Sequence, residues 1–195
     1  MSVLQNIKGK QVILASKSPR RHQLLKGIGI DFKIIENSDI EESYPDGLSP
    51  EEIPVYLAKK KAAYHVSEMA SDTLLITADT IVCCDGNVLN KPIDKKDAQE
   101  ILNKLSGNKH TVITGVCIRS IEKEVVFYAE TDVYFANLSD EEIEHYLLEC
   151  KPYDKAGAYG IQEWIGYIGI EKIVGSYFNV MGLPIQRLYT ELKNF

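Results

Sequence analysis

Short apolar runs and amphipathic stretches alternate along this chain, which predicts a mixture of strands and helices. The run from Gln11 to Ser16 reads as a short buried strand. Thr73 to Cys84 is nearly continuous in apolar residues, as expected of a central strand buried on both faces. Apolar residues at helical spacing follow Ser18-Pro19 and Ser49-Pro50, where Ser suits the N-cap and Pro the first turn. The pattern therefore predicts an α/β protein.

The remaining segments complete a mixed sheet with helices. Asp85-Gly86 is a hairpin signal between the long strand and Val88-Leu89. The polar stretch from Asn37 to Ser49 and the glycine-containing, charged stretch from Lys151 to Gly160 are predicted loops. We expect one domain over residues 1–195, with its sheet pinched into two lobes. The other predicted strands are Asp31 to Glu36, His110 to Ser120, Glu124 to Asn137 and Ile168 to Val174, and the other predicted helices are Asp94 to Leu105, Ser139 to Cys150 and Pro184 to Lys193.

Composition narrows the classes of protein. A chain of 195 residues with 45% hydrophobic and 26% charged residues can bury a core without disulfides, so its four cysteines are predicted to be reduced thiols. A net charge of −6 argues against nucleic-acid binding as the main role, although a local basic cluster could still bind a small phosphorylated ligand. Neither a signal peptide nor a membrane-spanning run is visible, and we expect a cytoplasmic protein without a membrane partner.

The segment Ser16-Lys17-Ser18-Pro19-Arg20-Arg21 is a candidate phosphate-binding turn. It places a small-residue turn and two arginines at a predicted helix N-terminus, where backbone N–H groups favour an anion. An exposed basic turn is the alternative, because no Walker motif is present.

Asp79 is a carboxylate inside an apolar strand. Such a group is costly to bury unless it is paired, binds a metal ion or acts as a base, and a satisfied structural aspartate is the equal alternative. Thr80 beside it could offer a hydroxyl group to a ligand. Lys91 could reach phosphate, and at most one or two lysines of the run Lys59 to Lys61 can point inward.

Two loops carry further candidates. Glu41 and Glu42 supply hard oxygen ligands of the kind that magnesium or manganese binds beside substrate phosphates, unless the loop is only a solvated acidic segment. In the segment Asp154 to Gln162, glycines permit close approach to a ligand and Gln162 could read a base edge, unless they are ordinary turn glycines. The four histidines form no metal or nucleophile pattern.

Taken together and in order, these segments resemble the Maf family of nucleotide pyrophosphatases. The matching blocks cover nearly the whole chain, with departures at Lys17 and at Trp164-Ile165. The block Asp154 to Gln162 resembles the branch that acts on dTTP and UTP. The blocks are LASKSPRRHQLL (Leu14 to Leu25), TADTIV (Thr77 to Val82), LNKP (Leu89 to Pro92), LSGNKHTVITGV (Leu105 to Val116), DKAGAYGIQ (Asp154 to Gln162) and GSYFNVMGLP (Gly175 to Pro184).

The resemblance implies a twisted mixed β-sheet flanked by helices, with a deep cleft between two lobes and often a homodimer. It implies hydrolysis of a pyrimidine nucleoside triphosphate to its monophosphate and pyrophosphate, with Mg²⁺, Mn²⁺ or Co²⁺ as the cofactor. Asp79, Lys91 and Glu41 would be catalytic. The metal ligands would come from Glu41, Glu42 and Asp79, and the choice between the two glutamates is left open. The residues implied to bind substrate are Ser16, Ser18, Arg20, Arg21, Lys61, Thr80 and Gln162.

Two other functions compete with this one. A non-catalytic nucleotide sensor that regulates septum formation would use the same pocket with negligible turnover. A nucleic-acid-binding module is opposed by the acidic balance and by the absence of a basic stripe interleaved with aromatic residues.

Overall fold

The computed structural model describes residues 4–36 and 40–195, and in them the strands and helices alternate as predicted. No helix within these ranges is both long and apolar enough to span a membrane. The strands are β1 (Gln11–Ala15), β2 (Lys33–Ile35), β3 (Thr73–Cys84), β4 (Asn87–Leu89), β5 (Lys109–Arg119), β6 (Glu124–Phe135) and β7 (Ile170–Val174). The α-helices are α1 (Pro19–Gly27), α2 (Glu52–Tyr64), α3 (Lys95–Leu105), α4 (Asp140–Cys150), α5 (Trp164–Ile168), α6 (Tyr177–Val180) and α7 (Ile185–Lys193).

The strands form one seven-stranded mixed sheet in the order β2-β1-β3-β5-β6-β7, with β4 paired to β3 outside this path. β1 is parallel to both β2 and β3, whereas β4 and β7 are antiparallel to their neighbours. Asp85 and Gly86 both have positive φ angles, of 49° and 77°, and make the tight turn between β3 and β4. The predicted mixed α/β fold is confirmed.

The chain divides into two compact units. Unit 1 contains residues 1–79, 114–129 and 182–195, and unit 2 contains residues 80–113 and 130–181. The division falls within β3, β5 and β6, so each of these strands contributes residues to both units. The assignment of residues 1–195 to a single domain with two lobes stays a prediction.

Helix starts follow from side-chain capping. Ser139 and Glu142 form a reciprocal capping box at α4, and the Asp94 side chain accepts from the Asp97 N–H group at α3. α2 begins at Glu52, later than predicted from Ser49-Pro50, but Ser49 and Glu52 still exchange backbone–side-chain hydrogen bonds. The short helices α5 and α6 were not predicted, because so few residues show no apolar periodicity.

Unit 1 packs α2 against β3. Ala58 and Ala62 of the helix lie in one buried cluster with Ala15, Leu75 and Cys117. Small side chains at these positions let the helix backbone approach the sheet closely. Burial raises the pKa of the Cys117 thiol to about 12, and all four cysteines are free thiols, as predicted.

In unit 2, three rings form a buried aromatic cluster. His110, Phe135 and Tyr159 meet edge to face, with ring centroids 5.0–5.3 Å apart. His110 Nε2 and the Tyr159 hydroxyl group are 2.7 Å apart in a hydrogen bond. Burial lowers the pKa of His110 from 6.5 to about 4, so the imidazole is neutral at physiological pH.

We expect this histidine to make the fold acid-sensitive. Its pKa is lower in the folded protein than in the unfolded chain, so its contribution to stability is complete above pH 6.5 and is lost as the pH falls towards 4. The loss amounts to about 3 kcal/mol of unfolding free energy at most. Urea unfolding at several pH values should show this component in the wild type and in His145→Gln, an exposed control, but not in His110→Gln. An equal acid dependence in all three proteins would contradict the prediction.

Candidate active site

Asp79 lies on the face of β3 that packs against α2. The Thr77 hydroxyl group donates to the Ala58 carbonyl oxygen at 2.7 Å, and strand alternation places Asp79 on the same face as Thr77. Only 7% of Asp79 is exposed. A carboxylate buried to this extent needs a nearby positive charge or hydrogen-bond donors.

Lys61 supplies that charge. It is 6% exposed and lies on the buried stripe of α2, one turn after Leu57 and Ala58. Its Nζ atom is 2.5 Å from Asp79 Oδ1 and 2.8 Å from Glu42 Oε1. We call Glu42, Lys61 and Asp79 the carboxylate–lysine group.

The three lysines of α2 have different environments because each helical residue is rotated by about 100° from the last. Lys59 is exposed and lies 3.6 Å from Glu124. Lys60 donates to the backbone and side-chain oxygens of Ser43, at 2.9 and 3.0 Å. Lys60 and Lys61 therefore both hold the acidic loop against α2, and of the three only Lys61 is buried.

Arg21 anchors the backbone beside Asp79. Its Nη1 and Nε atoms donate to the carbonyl oxygens of Ala78 and Gly182, each at 2.7 Å. Burial lowers the pKa of the Arg21 guanidinium, and the nearby charges of Asp79 and Glu42 oppose that effect. Arginine remains protonated in proteins, so this group adds a positive charge next to the carboxylate–lysine group.

The turn before α1 is held by hydrogen bonds among its own residues. Ser16 is buried, and its Oγ atom accepts from the Ser18 N–H group at 3.2 Å. The His22 ring donates from Nε2 to the Ser16 carbonyl oxygen at 2.7 Å. Arg20 is half-buried in the first turn of α1. The sequence did not single out His22, because its contact with Ser16 depends on the backbone conformation of the turn and not on a spacing motif.

Three of the other predicted site residues, Thr80, Lys91 and Gln162, belong to unit 2. Thr80 is half-buried, and strand alternation directs it to the face of β3 opposite Asp79. Lys91 is exposed just after β4. The neighbouring Asn90 carbonyl oxygen accepts from the Gly157 N–H group at 3.3 Å, which ties the Lys91 segment to the glycine-containing loop.

Gln162 is half-buried in a short segment that we call the Gln162 loop, residues 160–163. Its Oε1 atom is shielded from solvent and has no hydrogen-bond partner in the described part of the chain. A shielded carbonyl oxygen without a donor costs about 1–3 kcal/mol. A ligand N–H group that reached it would recover this energy.

The three carboxylates predicted to bind metal are not assembled as one site. Across residues 4–36 and 40–195, no group of three His, Cys, Asp or Glu side chains is placed to hold a metal ion. Glu42 and Asp79 converge on the Lys61 ammonium group. Glu41 and Glu42 are both exposed in the loop, and of the two it is Glu42 that pairs with Lys61. Magnesium is often held by only one or two carboxylates plus substrate phosphates, so the metal assignment stays a prediction.

The structure thus gathers part of the predicted set. In unit 1 it joins Glu42, Lys61 and Asp79 directly and places Arg21 beside them. In unit 2 it connects the segments that carry Lys91 and Gln162. The roles of all the predicted residues stay predictions. Glu163 of unit 2 was missed, as were Lys155 and Tyr146, which it contacts.

Residues 11–195 match the model of the Maf-like protein family, and the chain belongs to that family. It is 56% identical over 191 residues to the dTTP/UTP pyrophosphatase of Phocaeicola vulgatus, with 98% of this chain and 99% of the relative covered. It is 55% identical over 193 residues to the dTTP/UTP pyrophosphatase of Parabacteroides distasonis, covering 99% and 100%. The resemblance drawn from the sequence is confirmed.

A solved structure shares the fold. A HAM1 protein from Coxiella burnetii matches with a TM-score of 0.50 at 14% identity, covering 95% of this chain and 100% of the other. At this identity the likeness concerns the fold alone.

Proposed function

We propose that this protein hydrolyses dTTP and UTP, and modified pyrimidine nucleotides of the same shape, to the nucleoside monophosphate and pyrophosphate. The observation that carries the proposal is the carboxylate–lysine group, in which Lys61 and Asp79 are buried, with Arg21 beside it. The proposal is supported by relatives at 55–56% identity that are named dTTP/UTP pyrophosphatases.

In this reaction water attacks the α-phosphorus, and the bond between that phosphorus and the oxygen leading to the β-phosphate breaks. Asp79 takes the proton from the attacking water on Oδ2, because Lys61 holds Oδ1. Lys61, Lys91, Arg20 and Arg21 neutralise charge on the phosphates and on the leaving pyrophosphate. Ser16 and Ser18 add hydrogen bonds from the turn before α1.

The residues present fit a divalent cation. Two carboxylates, of Glu42 and Asp79, already converge on one positively charged group. Hard oxygen ligands of this kind suit Mg²⁺, Mn²⁺ or Co²⁺, and phosphate oxygens and water would supply the remaining ligands. When bound, the cation supplies charge stabilisation and polarises the phosphate. We therefore propose that Glu42, with Asp79, holds it.

Base selection is assigned to Gln162. Thymine and uracil carry an N3–H donor flanked by carbonyl acceptors, and one amide group can pair with a donor and an acceptor together. Its unpartnered Oε1 atom suits such a donor. Cytosine has an acceptor at N3 and would leave this oxygen without a donor, so we expect dCTP to be a poor substrate. Thr80 adds a hydroxyl group to the same task.

A nucleotide panel tests the proposal. Pyrophosphate release is measured from dTTP, UTP, dCTP and purine nucleoside triphosphates with Mg²⁺, Mn²⁺, Co²⁺ or EDTA. We expect turnover that requires a metal ion, is fastest on dTTP and UTP, and yields the monophosphate. Turnover mainly on purines would contradict the assignment of Gln162. Nucleotide binding without turnover would support the non-catalytic sensor instead. The cytoplasmic location and the homodimer stay predictions.

A further inference from the structure

Glu163 links the Gln162 loop to Tyr146 and to Lys155 through its carboxylate, and it closes the loop through its backbone N–H group. Its Oε2 atom accepts a hydrogen bond from the Tyr146 hydroxyl group of α4. Its Oε1 atom lies 3.1 Å from Nζ of Lys155, which is only 8% exposed. The Glu163 N–H group donates to the Gly160 carbonyl oxygen at 2.9 Å, which closes the Gln162 loop.

Tyr146 extends this network to the other end of the loop. Its side chain is fully buried, and its hydroxyl oxygen accepts from the Gly160 N–H group at 3.1 Å. Burial and the hydrogen bond to Glu163 raise the pKa of Tyr146, so the hydroxyl group keeps its proton and donates to the carboxylate. Gly160, at the start of the Gln162 loop, is therefore hydrogen-bonded to both Tyr146 and Glu163, and Glu163, at the end of the loop, is hydrogen-bonded to Tyr146.

Gly160 leaves space that the side chains of Glu163 and Gln162 both approach. A Cβ atom at this position would lie 2.7 Å from Glu163 Cδ, 3.0 Å from Glu163 Oε1 and 3.0 Å from Gln162 Nε2. The negative carboxylate and the amide NH₂ group thus pack against the same side of Gly160. The carboxylate attracts the NH₂ end of the amide and repels its carbonyl end, so it biases the orientation of the amide.

We infer that Glu163 is a positioning residue for substrate selection, which fixes the Gln162 amide in the orientation that reads thymine and uracil. This inference rests on the proposed function. An amide turned by 180° exchanges its donor and its acceptor and would then suit cytosine. Glu163 prevents that exchange by charge and holds the loop by its contacts with Tyr146 and Lys155.

The test is Glu163→Gln, which keeps the shape of the side chain and removes its charge. We expect KM for dTTP to rise about tenfold while kcat stays within threefold, because the substitution leaves the proposed base Asp79 and its partner Lys61 unchanged. The ratio of kcat/KM for dTTP to that for dCTP should fall about five- to tenfold. A purely structural role would lower kcat/KM for dTTP and for dCTP equally and leave their ratio unchanged.

Binding gives a second measurement. Trp164, the single tryptophan of the chain, follows Glu163 directly and is partly exposed, so its fluorescence reports on this segment. Titration with α,β-methylene-dTTP, which resists hydrolysis between the α- and β-phosphates, should change the emission of the wild type. The Kd obtained should be about tenfold higher for Glu163→Gln.

Glu144→Gln is the matched control. Glu144 lies on the same helix as Tyr146 and pairs with a lysine, Lys95, but the two side chains are 42% and 45% exposed, and the pair joins α4 to α3 and not to the Gln162 loop. Wild-type KM, Kd and selectivity are expected for it. Tyr146→Phe removes only the hydroxyl group that links α4 to Glu163. It should shift KM and selectivity in the same direction as Glu163→Gln, and it tests the inference if Glu163→Gln does not fold.

The outcomes distinguish a failure of the proposed function from a failure of the inference about Glu163. A wild type that neither hydrolyses dTTP nor binds the analogue would refute the proposed function. An active wild type with unchanged KM, Kd and dTTP-to-dCTP ratio in the Glu163 and Tyr146 variants would refute the inference alone.

Discussion

Asp79→Asn is expected to lower kcat for dTTP by about 10²- to 10⁴-fold, because asparagine cannot take the proton of the attacking water. The fold and nucleotide binding should persist. The asparagine Oδ1 atom can still accept from Lys61, and the ammonium group keeps Glu42 as its counter-charge. The measurements are steady-state pyrophosphate release, the Kd for α,β-methylene-dTTP and urea unfolding.

Asp132→Asn is the control for this change. Asp132 is also a strand aspartate in β6, paired with Lys109 at 3.3 Å and hydrogen-bonded to Thr111 at 2.7 Å. Its carboxylate is partly exposed, and its partners Lys109 and Thr111 have no proposed role in catalysis, so the variant should turn over dTTP at nearly the wild-type rate. Activity of Asp79→Asn within threefold of the wild type would remove Asp79 from the mechanism.

Lys61→Met is expected to reduce both stability and turnover. It removes a buried cation and leaves the Asp79 carboxylate without its closest partner, which typically costs about 3–5 kcal/mol of unfolding free energy. Turnover should fall as well, because one of the charges proposed to neutralise the phosphates is lost. Urea unfolding and pyrophosphate release measure the two effects separately.

Lys60→Met removes the neighbouring lysine as a matched control. Lys60 is less buried and binds only the oxygens of Ser43, so we expect a loss below about 1 kcal/mol. The double variant Lys61→Met with Asp79→Asn should regain much of the lost stability but no activity, because neither group is then left as an unpaired buried charge. Equal stability losses in the two single lysine variants would show that the buried ion pair contributes little.

Much of the fold could be predicted from local patterns. The long apolar run appears as β3 over the same residues, Thr73–Cys84, and the Asp85-Gly86 turn joins it to β4 as expected. Ser139 caps α4 through hydrogen bonds that span only three residues. Periodicity, turns and caps act within one or two turns of chain, so the sequence alone contains their signals.

The candidate site was predictable only in part. The sequence singled out Asp79, because a carboxylate in an apolar strand needs an explanation. The pattern alone left open which lysines of the run Lys59 to Lys61 point inward, and only the family resemblance implied Lys61. Which of Glu41 and Glu42 holds the metal ion was left open as well. The structure places Lys61 and Glu42 together at Asp79, and this choice depends on how the helix and loop pack against β3.

The sequence by itself determined the order of the elements, the family and the residues able to carry charge to a phosphate. Only the tertiary structure decided which of those charges are buried together, and it disclosed the contact between Tyr146 and Glu163, which are 17 residues apart. The physical reason is the distance along the chain over which each effect acts. Helix and strand patterns arise from neighbours along the chain, whereas burial and charge pairing depend on which distant segments are packed against each other.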